Sequence, residues 1–450
     1  MKKLVILVAL SATIQFAFAG GVVTNSNQSA QFIRSMARNA STEIDAVYYN
    51  PAGLANLADG WHFALYNQTI MQEKKVNNTF PLLGTKEFIG KVNAPVFPNF
   101  YAAYKRNEWT VALGFAPVGG GGSADFDKGL PAFEMPISGL PAAVSKLGIP
   151  TTGYKADIAF KGSSVYYGVQ LDVAYKLSDV TSIAFGGRFV SAVNTYEGSI
   201  KGIQINPTFP ALGLNGNYIP ATAFFQQLAA VNPAAAAYAA QVADKKVDAK
   251  QTANGFAPIL GANVKATDKL NVAVRYEFAT PLEFTNDTKV DDAGLFPDKA
   301  KSRNDLPALL ALGAQYEVFK SLRAALAVNY YYDQETNWNG REKLMKDNTY
   351  EVALGLEFDV TKCLLVSAGY NRTQSGVSEA YQTDISHHLS SNTVGVGLRY
   401  LLFNKLALDL GAAYSLYDEM SRKGAYAGVP FVETYNRNNI AVAVGLGYHF

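Results

Sequence analysis

An all-β fold is expected, a transmembrane antiparallel barrel of about 14 strands, and three features of the sequence lead there. Residues 438–450 read NNIAVAVGLGYHF. Side chains alternate across a strand, so Ile440, Val442, Val444, Leu446, Tyr448 and Phe450 share one face. Asn439, Ala441, Ala443, Gly445, Gly447 and His449 share the other. The same alternation of large and small recurs along the chain. The links between these segments are short and long by turns, as in barrels with tight periplasmic turns and long outer loops.

The chain begins MKKLVILVALSATIQFAFAG, with basic Lys2 and Lys3, an apolar run and a small-x-small pattern at Ala17-Phe18-Ala19. Residues 1–19 therefore read as a secretory signal peptide. The run is too short, and too diluted by Ser11, Thr13 and Gln15, to span hydrocarbon. The sole cysteine, Cys363, lies far from the cleavage site and permits neither a lipoprotein anchor nor an intrachain disulfide. Without Lys2 and Lys3 the basic residues fall from 39 to 37 and equal the 37 acids. That balance gives no electrostatic footprint for nucleic acid. A mean hydropathy of +0.01 is too polar for a helical membrane protein. It suits a wall with one lipid face and one wet face.

Strands are expected near 60–70, 97–105, 108–117, 164–177, 180–195, 256–265 and 269–279. The remainder fall near 306–318, 321–333, 348–360, 362–371, 390–402, 405–417 and 438–450. In KLALDLGAAYSL, Leu408 should face the bilayer, whereas a charge at Gly411 should meet the lumen. Short turns fall at Arg106-Asn107, Leu177-Ser178-Asp179, Ala266-Thr267-Asp268, Phe319-Lys320, Thr361 and Phe403-Asn404. Long links fall at 71–96, 118–163, 196–255, 280–305, 334–347, 372–389 and 418–437. A soluble sandwich also alternates, but its outward face should be polar, and here it is Leu, Val, Tyr and Phe. No charge occurs between Lys201 and Asp244, yet Pro207, Pro210, Pro220 and Pro233 argue for an apolar loop and against a spanning helix. The last strand should pair with the first, leaving no edge in lipid. Its terminal aromatic resembles the signal read by outer-membrane assembly machinery.

Residues 20–59 show no strand alternation, so they belong either in the periplasm or inside the barrel. NQSA, ARNAST and DAVYYNPAGLA in this stretch resemble the N-terminal hatch of the FadL family of outer-membrane transporters. The family's Asn-Pro-Ala triplet falls on Asn50, Pro51 and Ala52. The resemblance implies a hatch at 20–59 plugging a barrel of residues 60–450 in the bacterial outer membrane. It implies passive transport of long-chain fatty acids or similar hydrophobic molecules, captured by outer loops and released sideways into outer-membrane lipid. Where the family has a glycine-rich run, this chain has Phe32, Ile33, Arg34, Ser35 and Met36, which predicts a different inner surface. A plugged porin for polar solutes and a barrel-displayed adhesin are the alternatives. A monomer is expected.

No enzyme, cofactor or metal site is expected. The run at 119–122 lacks the Gly-Lys-Ser/Thr of a phosphate loop and should instead kink the third strand beside Pro117, a gating position. His387 and His388 are adjacent, so a strand would point them apart. No Gly-x-Ser-x-Gly elbow occurs. In the charge-free loop, Phe224, Phe225, Leu228 and Tyr238 are expected to form an apolar landing surface for cargo. Arg188, Arg275, Arg323 and Arg399 fall within strands. Such guanidiniums either hold a cargo carboxylate, as expected for Arg188, Arg275 and Arg399, or pair with Asp172, Glu277, Glu357 or Asp409.

Overall fold

The computed structural model of the chain describes residues 20–210, 213–230, 233 and 235–450. The expected signal peptide at 1–19 lies outside them. Fourteen antiparallel strands form the wall. They are β1 (Gly60–Asn78), β2 (Glu87–Arg106), β3 (Trp109–Phe126), β4 (Thr151–Lys176), β5 (Thr181–Phe209), β6 (Lys245–Lys265) and β7 (Leu270–Glu277). There follow β8 (Leu309–Phe319), β9 (Leu322–Tyr331), β10 (Tyr350–Asp359), β11 (Leu364–Gln374), β12 (Ser391–Leu402), β13 (Leu406–Tyr417) and β14 (Val429–His449). Each pairs with its sequence neighbour, and β14 returns to β1 in register from His62↔His449 to Asn78↔Glu433. The ring is closed, each strand pairing with a neighbour on both sides, although the β2–β3 pairing is interrupted along part of its length.

The faces sort as the alternation requires. Val442 and Leu446 are half-exposed on the outside, while Ala441 and Ala443 are buried inside. The strands differ from expectation at their outer ends. The 71–96 link is largely a continuation of the β1–β2 ladder, and β4 and β5 run 26 and 29 residues. About ten residues are enough to cross hydrocarbon, so these ladders are more than twice the length that a crossing needs. Antiparallel pairing satisfies backbone groups in water as it does in lipid, and nothing ends the ladder at the interface. The 280–305 link adds a further strand, Glu283–Asp291, paired to β6.

Residues 20–57 occupy the interior. Helix α1 (Ala30–Ser35) packs on β10–β14 and β1. Helix α2 (Ala46–Tyr49) packs on β3 and β4, and the 3-10 turn Pro51–Asn56 on β2–β7. The wall's small inner face is what admits this segment. A Cβ at Gly355 or Gly369 would overlap the Ser35 carbonyl, and one at Gly395 the Ile33 carbonyl. Gly411 faces the lumen as expected, but the lumen there is filled. A Cβ there would lie 3.1 Å from Ile33 Cγ2, so a charge would strike α1 and not lumen water.

Candidate functional site

Asn50, Pro51 and Ala52 dock the interior segment on β5 and β6. Asn50 Nδ2 donates to Asn263 Oδ1 and to the Ser41 carbonyl, each at 2.9 Å. Pro51 opens the 3-10 turn, where its fixed φ suits the first position and its missing N–H leaves nothing unmet. The Ala52 carbonyl accepts from Ser182 Oγ at 2.7 Å, and Ala52 lies against Gly261.

The wall is interrupted beside Pro117. Pairing between β2 and β3 runs from Arg106↔Trp109 to Phe100↔Phe115 and resumes only at Val92↔Ala124. Pro95 and Pro98 on β2 and Pro117 on β3 have no N–H to give to a ladder. Gly120 and Gly122 take φ of 76° and 84° and bracket a register shift against β4, and another shift lies between Pro117 and Gly119. A cavity of about 70 Å³ opens there, lined by Ile70, Gln72, Ala94, Val96, Phe97, Pro117 and Tyr167 among others. The interior segment lies across its inner side. Asn25 N donates to the Val118 carbonyl at 2.9 Å, and Gln28 Nε2 to the Pro117 carbonyl at 3.0 Å.

The strand arginines are engaged within the protein. Arg188 pairs with Glu277 and donates from Nε to Gln170 Oε1 at 3.0 Å. Arg275 donates to the Tyr48 carbonyl and lies 3.8 Å from Glu277. Arg399 pairs with Asp409 at 3.0 Å and with Glu43 of the interior segment. Arg323 holds Asp359 at 2.6 Å. These contacts favour the ion-pair alternative over a cargo-carboxylate role. Sequence reading missed the partners that the interior segment itself supplies. Arg34 reaches Glu357 at 2.6 Å and Asp409 at 3.1 Å, and Arg38 holds Asp45 at 2.8 Å and Glu43 at 2.6 Å. The signal was present in the Phe32–Met36 departure, which places an arginine opposite acids on β10 and β13.

The outer loops also differ from expectation. Helices α3 (Pro131–Ser138), α4 (Leu140–Ser145) and α5 (Ala221–Ala229) pack on the raised ends of β4 and β5, and α6 (Ala235–Gln241) packs on α5. Phe224 and Phe225 are buried with Ile203 and Ile205, and Leu228 is half-buried beside them. Tyr238 stacks on Phe225 with ring centroids 5.5 Å apart and keeps an exposed edge. Phe224, Phe225 and Leu228 form a core beneath the loop surface and are not presented as a landing patch, with Tyr238 alone partly exposed over them, because the charge-free loop must bury its own apolar side chains before it can offer any. The open apolar space lies next to them. A cavity of about 230 Å³ is lined by Phe133, Ile137, Phe160, Tyr196, Ile200, Val247, Leu295, Phe296 and Ile385 among others, with Lys245 and Lys246 also on its lining.

Among the described residues no group of three His, Cys, Asp or Glu could hold a metal ion. His387 and His388 are not in a strand, and both are buried. Burial and the nearby Arg437 and Lys74 charges push His388 down to about 3, so it stays neutral.

Fold and site together define a closed fourteen-strand barrel of the transmembrane kind, filled by its N-terminal segment and breached on one side. No family sequence model matches the chain, and no curated protein sequence does. Among solved structures, a Pseudomonas aeruginosa FadL homologue superposes with a TM-score of 0.67 at 13% identity, covering 96% of this chain and 100% of that one. The P. putida toluene transporter TodX gives 0.60 at 15% identity, covering 91% and 95%. The Ralstonia pickettii toluene transporter TbuX gives 0.54 at 13% identity, covering 90% and 94%. The chain shares the fold of these proteins.

Proposed function

We propose that this chain carries hydrophobic small molecules passively across a bacterial outer membrane. Cargo enters at the outer apolar cavity, passes the N-terminal hatch and leaves sideways between β2 and β3. The observation that carries this reading is the break in β2–β3 pairing between Val92 and Phe100, with an apolar cavity behind it. A polar solute has no use for an opening toward lipid, whereas an apolar one gains free energy by entering it. The likeness in fold to two proteins described as toluene transporters and to a FadL homologue supports the same class of cargo.

Liposomes carrying the purified barrel should accumulate toluene and a long-chain fatty acid faster than protein-free liposomes, and should exclude sugars. Ala94→Trp, which fills the lateral cavity, should slow hydrophobic uptake about tenfold while leaving the barrel heat-modifiable. Free passage of sugars without hydrophobic uptake would replace this reading with a plugged porin. Uptake of neither, with retained binding to cells, would favour an adhesin.

A further inference from the structure

The short-turn end of the closing seam holds two histidines face to face. His62 of β1 and His449 of β14 are directly opposed in register, on the parity that points inward with Ala64 and Gly447. Their ring centroids lie 5.8 Å apart, with the planes 18° from parallel. The β1–β14 ladder runs without a bulge from this pair to Asn78↔Glu433. His449 N also donates to the Lys405 carbonyl, and Phe450 N to the Trp61 carbonyl. The backbone under the two rings is therefore fixed on both strands.

The two rings are prepared differently. His62 is 9% exposed, and its Nε2 meets the Ala58 carbonyl at 2.8 Å. A carbonyl only accepts, so Nε2 carries the proton and the neutral ring keeps its lone pair on Nδ1. One ring nitrogen donating to a backbone carbonyl while the other stays open is the usual setting of a metal-binding histidine. His449 is half-buried, and among the described residues no hydrogen bond engages its ring. The face around the pair is small. Ala64, Ala103 and Gly447 are its neighbours there, and a Cβ at Gly447 would come no closer than 3.8 Å to any atom beyond its chain neighbours. That leaves room for an ion and its waters.

We propose that His62 and His449 together bind a divalent transition-metal ion, copper(II) in preference to zinc(II) or nickel(II), as a clamp across the closing seam. Metal–nitrogen bonds of about 2.0–2.1 Å set two imidazole centroids on one ion about 5–6 Å apart, the separation already present here. Imidazole suits copper, nickel and zinc, whereas calcium and magnesium take oxygen ligands, and copper(II) heads the order of affinity. Asp59, on the link into β1, is held by Lys105 at 3.3 Å. Two histidines are thus the protein's share, and water fills the remaining positions. The other two histidines offer no such pair, since His388 Nδ1 is occupied by Ser375 Oγ at 2.8 Å. An ion bound only by the paired strands stabilises the closed ring by mass action. Nothing in this depends on what the barrel carries.

The test uses the full barrel in neutral detergent, without an affinity tag and with Cys363→Ser removing the one thiol. Calorimetric titration should show one copper(II) ion bound per chain, zinc(II) bound more weakly and no binding of calcium. The electron paramagnetic resonance spectrum of the copper form should show coupling to two imidazole nitrogens. His449→Gln should weaken copper binding at least about tenfold, since loss of a group that merely orients a metal ligand already costs that much. Saturating zinc should raise the temperature of heat-modification in the parent and leave that of His449→Gln unchanged. Absence of copper binding, coupling to fewer than two nitrogens, or undiminished binding by His449→Gln would each overturn the proposal. So would an equal thermal shift in both proteins. The copper spectrum of the parent decides the matter alone if the variant does not assemble.

Discussion

Arg34 has no exposed surface, yet it carries a charge, and its guanidinium is divided between Glu357 on β10 and Asp409 on β13. It also donates to Ser367 Oγ at 3.1 Å. Removing one partner of a buried pair leaves the other charge uncompensated, so Arg34→Ala should cost about 3–5 kcal/mol in a urea unfolding titration. Arg34→Lys should recover only part of this, because an ammonium cannot span two carboxylates as a planar fork does. Phe225 tests a different kind of contact. Its ring is buried against Tyr238 and Phe224, so Phe225→Ala should open a cavity worth about 3–5 kcal/mol in the loop core. The expected readout is faster proteolysis within residues 202–244, with the wall still resistant to heat and detergent.

At the scale of elements, the interior segment and helix α3 are the parts whose movement has consequences. If residues 20–57 are a hatch, deleting residues 21–52 should raise single-channel conductance severalfold while the barrel still folds. The wall is held by its own ladders, and α1, α2 and the 3-10 turn contribute no wall strand. Helix α3 lines the outer cavity with Ala132, Phe133 and Ile137, and its N-terminus is tied down by Asp384. Ala132 N donates to Asp384 Oδ2 at 2.7 Å, and Ile385 N to Oδ1 at 3.0 Å. Burial first, and then the Glu433 charge, push Asp384 up to about 7. An acid with a raised folded value favours folding below its unfolded value, near 4, and loses that contribution as pH rises toward 7. Thermal resistance of the outer loops should therefore fall between pH 5 and pH 7.5. Asp384→Asn, which keeps an acceptor for Ala132 N–H, should flatten the profile.

For the whole molecule, closure and the lipid face are the properties at stake. Leu410 lies outward near the middle of β13, opposite Val444 of β14. Leu410→Arg should destabilise the barrel by about 2–4 kcal/mol in a refolding titration if it meets the bilayer centre. Equal tolerance at Leu410 and at a water-facing loop residue would contradict a lipid-facing wall. Phe450 stands at the foot of the closing seam. Its N–H donates to the Trp61 carbonyl at 3.0 Å, and its ring meets Phe63 and Tyr448 edge-on. Phe450→Ser should lower the yield of membrane-inserted protein, measured by heat-modifiability, with little effect on barrel that does assemble.

The period of the sequence by itself determined the wall. A two-residue alternation of Val, Leu and Tyr with Gly and Ala can bury only one face and needs a partner on each edge, which is why all fourteen strands were legible from residues 60–450. Pro117 and the glycines after it marked the kink for the same local reason, since lost N–H groups and positive φ are written residue by residue. What the small face was small for could not be read locally. Gly355, Gly369 and Gly395 meet backbone contributed more than three hundred residues earlier in the chain, and only closure of the ring brings them together. The roles of the arginines were decided there too. A guanidinium in a strand is compatible with a ligand or with an acid, and the choice depends on which carboxylates the wall and the interior segment place within about 3 Å. Phe224 and Phe225 turned from surface to core because the long ladders of β4 and β5 give them something to pack on, an outcome that no local pattern encodes.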